Sequence, residues 1–155
     1  MIACLSPNGQ NIRRGEASPT RLLVATLRGV NLLTREGPGA SWIDRGRTLD
    51  GHHCGSLIVE PQRGGVFAGM HDGGLYFSPD GGETWEPRTR GLTYQHVFSL
   101  CYAHRPEGVV LYAGTGRRRC SAATTTENPG PNFPASRSWT VTRSGRFRSH
   151  RTPRT

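Results

Sequence analysis

At 155 residues the chain suits one ordinary domain, and no segment is apolar enough to cross a membrane as a helix. Its formal charge of +9 would mark a nucleic-acid partner if it covered a folded surface. It does not: residues 1–115 carry 11 Arg against 10 acids, whereas residues 116–155 carry 9 Arg against Glu127 alone. All 20 cations are arginine, and a GC-rich coding sequence explains the missing lysine better than any surface requirement does. The start, "MIACLSPNGQNIRR", lacks the apolar core of a secretory signal, which implies a cytoplasmic location. Cys4, Cys54, Cys101 and Cys120 contain no CxxC pair, so buried or free thiols are expected, with no disulfide framework or zinc site.

In chain order, residues 1–20 read as an N-terminal extension and residues 21–115 as repeated short strands. "LLVAT" at Leu22–Thr26 resembles "GVFAGM" at Gly65–Met70 and "VLYAGT" at Val110–Thr115, with Ala25, Ala68 and Ala113 at intervals of 43 and 45. Trp42 and Trp85 are 43 apart, as are Cys54 and Val97, which also brings Leu57 onto Leu100. In the central unit, Val66–Met70, Gly74–Ser78, Thr84–Pro87 and Val97–Ala103 are rich in β-branched and aromatic residues. Gly, Asp and Pro clusters separate them, and no stretch has helical periodicity. Four strands in roughly 40–45 residues match one blade of a β-propeller.

Between two of these strands lies "SPDGGETW", Ser78–Trp85. The Asp80 carboxylate can accept backbone N–H groups just ahead of it, closing an Asx-type turn. Gly81 and Gly82 permit the positive φ of a tight hairpin. Ser78 can bond within the same loop, Thr84 resumes the strand, and Trp85 turns its ring into the core.

Ser78-x-Asp80-x-Gly82-x-Thr84-Trp85 resembles the Asp-box, the bacterial neuraminidase repeat of sialidase-like and sortilin-like propellers, at every position of the S-x-D-x-G-x-T-W pattern. The first unit, "REGPGASW", keeps only Gly39, Ser41 and Trp42 of that pattern. The resemblance covers about residues 21–115. It implies an all-β, partial propeller of about two and a half four-stranded antiparallel blades. It also implies that the Asp-box is a structural hairpin on the rim away from the substrate site, and that an intact parent has a glycan or protein ligand.

After Thr115 the pattern stops where a third Asp-box is due. If one base were lost there, the codons of "AATTTENPG" would allow Ser, Asp, Gly, Ser and Trp at slots 123, 125, 127, 129 and 130. The opposite shift cannot encode Ser or Asp at the first two slots. Residues 116–155 therefore read as an out-of-frame, disordered Arg-rich tail that binds polyanions without sequence preference. Restoring one base near codon 116 should return the motif and further blades, and an early stop there would contradict this reading.

No metal or cofactor site is expected. His52 and His53 are adjacent in a strand entry and point to opposite faces, which disfavours joint chelation. Arg21, Arg28, Tyr76, Tyr94, Asp72 and Glu60 match the residue types of a sialidase site, but none lies in a motif that fixes a catalytic position. The sequence therefore favours a non-catalytic repeat scaffold. A glycosyl hydrolase acting on glycans and a nucleic-acid-binding tail are the alternatives.

Overall fold

Arg21–Thr26 (β1), Gly29–Thr34 (β2) and Ile43–Thr48 (β3) form a three-stranded antiparallel sheet in the order β1-β2-β3. The computed structural model of the chain describes residues 17–60, 64–90, 92, 94–106, 108–116, 119–125 and 139–143. The second sheet runs Cys54–Val59 (β4), Val66–Met70 (β5), Gly74–Ser78 (β6) and Glu86–Pro87 (β7), each strand paired with the next. The third runs Val97–Arg105 (β8), Gly108–Thr115 (β9), Arg119–Thr125 (β10) and Trp139–Arg143 (β11) in the same manner. All pairings are antiparallel, and the described residues contain no helix.

Sheets 2 and 3 repeat one another in backbone detail. The register shifts between Cys54 and Ser56 in β4, and again between Val97 and Ser99 in β8. The His71 amide donates to the His53 carbonyl at 2.9 Å, and the Gly116 amide donates to the His96 carbonyl at 3.0 Å. A bulge redirects side chains to the opposite face, so its recurrence at matching positions keeps the inward pattern of both first strands alike.

Cores lie between the sheets. Val30 of sheet 1 packs with Cys54, Ala68 and Met70 of sheet 2, flanked by Leu23, Leu49, Leu57, Tyr76 and Trp85. On the other face of sheet 2, Ile58, Phe67, Leu75 and Phe77 meet Val97, Leu100, Leu111 and Ala113 of sheet 3. Both faces of sheet 2 are thus covered, which explains why every residue of β5 is buried. Each large apolar side chain so covered contributes about 1.5–3 kcal/mol. The sheets meet most closely through their first strands: β1 touches β4, and β4 and β5 both touch β8.

Four expectations need correction. Val97–Ala103 does not close the central unit; it opens sheet 3, and β4 is the first strand of sheet 2 because it pairs with β5. The last strand of sheet 2 is Glu86–Pro87, since Thr84 is held in the preceding turn. The alanine register slips by one residue in the first unit. Ala25 faces Val30 across its hairpin as Gly69 faces Leu75, so Val24 is the counterpart of Ala68. Lastly, Arg119–Thr125 and Trp139–Arg143 are strands, not disordered tail. The β9 edge offers unpaired backbone groups, which template any run with adequate β propensity, and "RCSAATT" has neither Gly nor Pro to prevent it. The rest of the expected tail, and residues 1–16 of the expected N-terminal extension, lie outside the described residues.

Candidate functional site

The Ser78–Trp85 turn joins β6 to β7 through a closed hydrogen-bond network. Ser78 is fully buried at the end of β6. Its hydroxyl donates to Asp80 Oδ1 at 2.8 Å and accepts the Gly82 amide at 2.6 Å. Asp80 Oδ1 also accepts the Glu83 and Thr84 amides, each at 3.0 Å, and Oδ2 accepts the Thr84 hydroxyl at 2.5 Å. These donors, the Thr84 hydroxyl foremost and its amide next, hold the Asp80 carboxyl well below the usual carboxylate range. Gly81 and Gly82 have φ of +79° and +102°, the conformations that let the chain reverse here. Both carboxylate oxygens are engaged by the turn itself, so the charge of Asp80 organises backbone.

The same turn clasps the preceding sheet. The Arg21 guanidinium of β1 donates to the carbonyls of Asp80 and Gly81, the latter at 3.1 Å, and to Glu83 Oε1 at 2.8 Å. Trp85 Nε1 donates to Thr48 Oγ1 of β3 at 2.9 Å and to the Gly82 carbonyl at 3.1 Å. A Cβ on Gly82 would fall 2.4 Å from Leu23 Cδ2, so Leu23 would have to shift to admit one, on top of the strain at a φ of +102°. Trp42 occupies the matching place before β3, but its ring lies under the Arg35 guanidinium at 4.6 Å and not against another sheet. The two tryptophans share a chain position and differ in surroundings, because no described sheet precedes sheet 1.

A second cluster lies at the opposite ends of the strands, where the β5–β6 turn meets the starts of β4 and β8. The His53 and His71 rings are 4.0 Å apart, and His71 in turn contacts the Phe98 ring at 4.5 Å. His96 Nδ1 lies against the His71 carbonyl. His52 Nδ1 is 3.6 Å from Asp72 Oδ1 on the other side, so the adjacent histidines diverge. Partial burial, then the neighbouring His53, lowers the His71 pKa, which favours the neutral ring. Among the described residues no group of three or more His, Cys, Asp or Glu is placed to hold a metal ion. Cys54 is a free thiol, and burial pushes it up to about 11, leaving it protonated and inert at neutral pH.

The residues matching a sialidase site by type are not brought together. Arg21 serves the clasp, and Glu60 is buried where β4 ends, on the clasp side of the strands. Arg28 and Asp72 lie in the β1–β2 and β5–β6 turns at the other end. Tyr76 packs within the core between sheets 1 and 2, and Tyr94 precedes β8. A cleft of about 690 Å³ opens beside the clasp, lined by Arg21, Leu32, Arg35, Arg45, Thr48 and Glu83 among others. Its Arg35 and Arg45 are tied to the Pro19 carbonyl and the Thr34 hydroxyl, each through Nε at 2.7 Å. The role of Arg21 had no local signal, since its partners lie 59 to 62 residues ahead. Comparison with protein-family models and with curated proteins finds no match.

Proposed function

We propose that the chain is a segment of an Asp-box β-propeller and acts as a non-catalytic repeat scaffold. The observation that carries this reading is the Asp80 network. Its carboxylate is committed to Ser78, Glu83 and Thr84, and the turn it organises is bolted to the neighbouring sheet by Arg21 and Trp85. A ligand-binding aspartate would keep an oxygen aimed at open space, and this one spends both on its own turn. The matching bulges of β4 and β8 support consecutive blades, as does the side-by-side placement of the sheets' first strands. The frame change after Thr115 accounts, on this reading, for the absence of a second complete motif after β9.

Most glycosidases need two carboxyl groups flanking one bond, and sialidases use a tyrosine nucleophile in place of one of them. Either way the groups must converge, and the candidates here divide between opposite strand ends and the core. No turnover is therefore expected from the full chain with a panel of chromogenic sialosides and neutral glycosides. Specific hydrolysis that disappears in Asp72→Asn or Glu60→Gln would contradict the scaffold reading.

A further inference from the structure

We propose that the cleft between sheet 1 and the Ser78–Trp85 turn binds a tetrahedral oxyanion, a phosphate or sulfate group, through the Arg35 and Arg45 guanidiniums. The inference goes beyond the scaffold reading and does not depend on it, since it needs only sheet 1 and the turn that clasps it.

The cleft follows from what fills the corresponding space one unit later. Leu23 and Leu32 face one another across the β1–β2 hairpin as Phe67 and Phe77 do across β5 and β6. Between sheets 2 and 3 the two phenyl rings pack 4.8 Å apart and close the interface. Between sheets 1 and 2 leucines stand in their places, and Leu32 floors a cleft of about 690 Å³. That volume suits a small-molecule ligand, for which roughly 300–1,000 Å³ is usual.

A bulge aims the cations. The β2–β3 register shifts between Asn31 and Leu33, and Gly46, between their partners Arg47 and Asp44, takes a φ of +100°. In strict alternation Arg45 and Thr48 would face opposite sides of the sheet. The extra residue brings both into the cleft, together with Ile43. Arg47 turns the other way, to Asn31 at 3.3 Å and Asp50 at 3.0 Å.

The charges of the cleft, among the described residues, favour an anion. Arg21 and Glu83 lie 2.8 Å apart and neutralise one another, which leaves Arg35 and Arg45 against the exposed Glu36. Neither arginine has a carboxylate partner among the described residues. Each is held through Nε, Arg35 on the Pro19 carbonyl and Arg45 on the Thr34 hydroxyl, both at 2.7 Å. The Trp42 ring supports Arg35 at 4.6 Å. With Nε so committed, the Nη groups of both forks remain as donors. They rise from neighbouring positions, because Arg45 is bonded to the residue just before Arg35. One carboxylate satisfies a single fork, whereas the additional oxygens of a phosphate or sulfate serve two at once. Leu32 and Ile43 offer an apolar rest for the body that carries the group.

The test is an NMR titration of the full chain with inorganic phosphate, sulfate and acetate at constant ionic strength, followed at the Thr34, Arg35 and Gly46 amides. Saturable shifts are expected for phosphate and sulfate, with acetate weaker by about tenfold or more. Arg35→Gln and Arg45→Gln should each weaken phosphate binding by about tenfold or more, the loss expected when a charged hydrogen-bond donor is removed. Leu32→Phe supplies the ring found in sheet 2 and alters no charge, so it should weaken binding comparably by filling the cleft. Arg47→Gln should change it by less than about twofold, which separates the site from general attraction to a basic chain. Dispersed spectra matching the wild type verify that each variant folds. No saturable shift, equal binding of acetate and phosphate, or binding indifferent to Arg45→Gln and Leu32→Phe overturns the proposal. An Arg47→Gln loss as large as that of Arg45→Gln overturns it in favour of diffuse attraction. The scaffold reading survives any of these results, as the clasp bonds do not pass through Arg35 or Arg45.

Discussion

Asp80→Ala is expected to lower the stability of the chain by about 2–3 kcal/mol, the range for hydrogen bonds to a charged group with partial compensation by water. Four donors lose their acceptor: the Ser78 hydroxyl, the Glu83 amide, the Thr84 amide and the Thr84 hydroxyl. The first is the costliest, because Ser78 is fully buried and cannot turn to solvent. The carboxylate itself is exposed, so the part due to charge alone is discounted for screening. Asp80→Asn keeps an acceptor oxygen without the charge and should fall between the two. The carboxyl is depressed in the folded chain, so its stabilisation is present above the unfolded carboxylate pKa of about 4 and is lost as pH falls below it. Urea unfolding at neutral pH and near pH 3 should show the gap between wild type and Asp80→Ala narrowing in acid. A gap that is equal at both values would mean that the carboxylate charge plays no part.

Phe67→Ala should be more damaging, at about 3–5 kcal/mol. The Phe67 ring is fully buried, packs 4.8 Å from Phe77, and shares a cluster with Leu100 and Leu111 of the next sheet. Its loss opens a cavity between two sheets whose backbones are fixed by their own ladders, so collapse around the gap is limited. Phe67→Leu retains most of the volume and should cost under about 2 kcal/mol. Chemical denaturation followed by circular dichroism distinguishes these outcomes. A loss under about 1 kcal/mol for Phe67→Ala would mean that sheets 2 and 3 do not share this core.

Local features were legible in the sequence and distant ones were not. Ser78, Asp80, Gly82 and Thr84 act on one another within seven residues, so their types and spacing suffice to specify the turn. The strand content followed from β-branched and aromatic runs between Gly and Pro clusters. Sheet membership did not, because β8 differs from a fourth strand of sheet 2 only in which edge it pairs with. The alanine spacing misled by one residue because Ala25 and Ala68 look alike in composition but face opposite sides of their sheets. Arg21 and Thr48 acquire their roles only once the sheets stack, as their partners belong to another sheet. The strands of Arg119–Thr125 and Trp139–Arg143 arise from an edge offered by β9, a tertiary cause absent from their own composition.

The Ser78–Trp85 turn is a clasp between successive sheets. Hydrogen exchange at the Gly82 and Thr84 amides tests this most directly, because both are donated to side chains in an otherwise exposed loop. Protection on the scale of the flanking strands is expected in the wild type, falling by about tenfold or more in Leu23→Ala, a change made in the neighbouring sheet. Exchange at the rate of an unstructured loop, or protection that ignores the Leu23 substitution, would contradict the account.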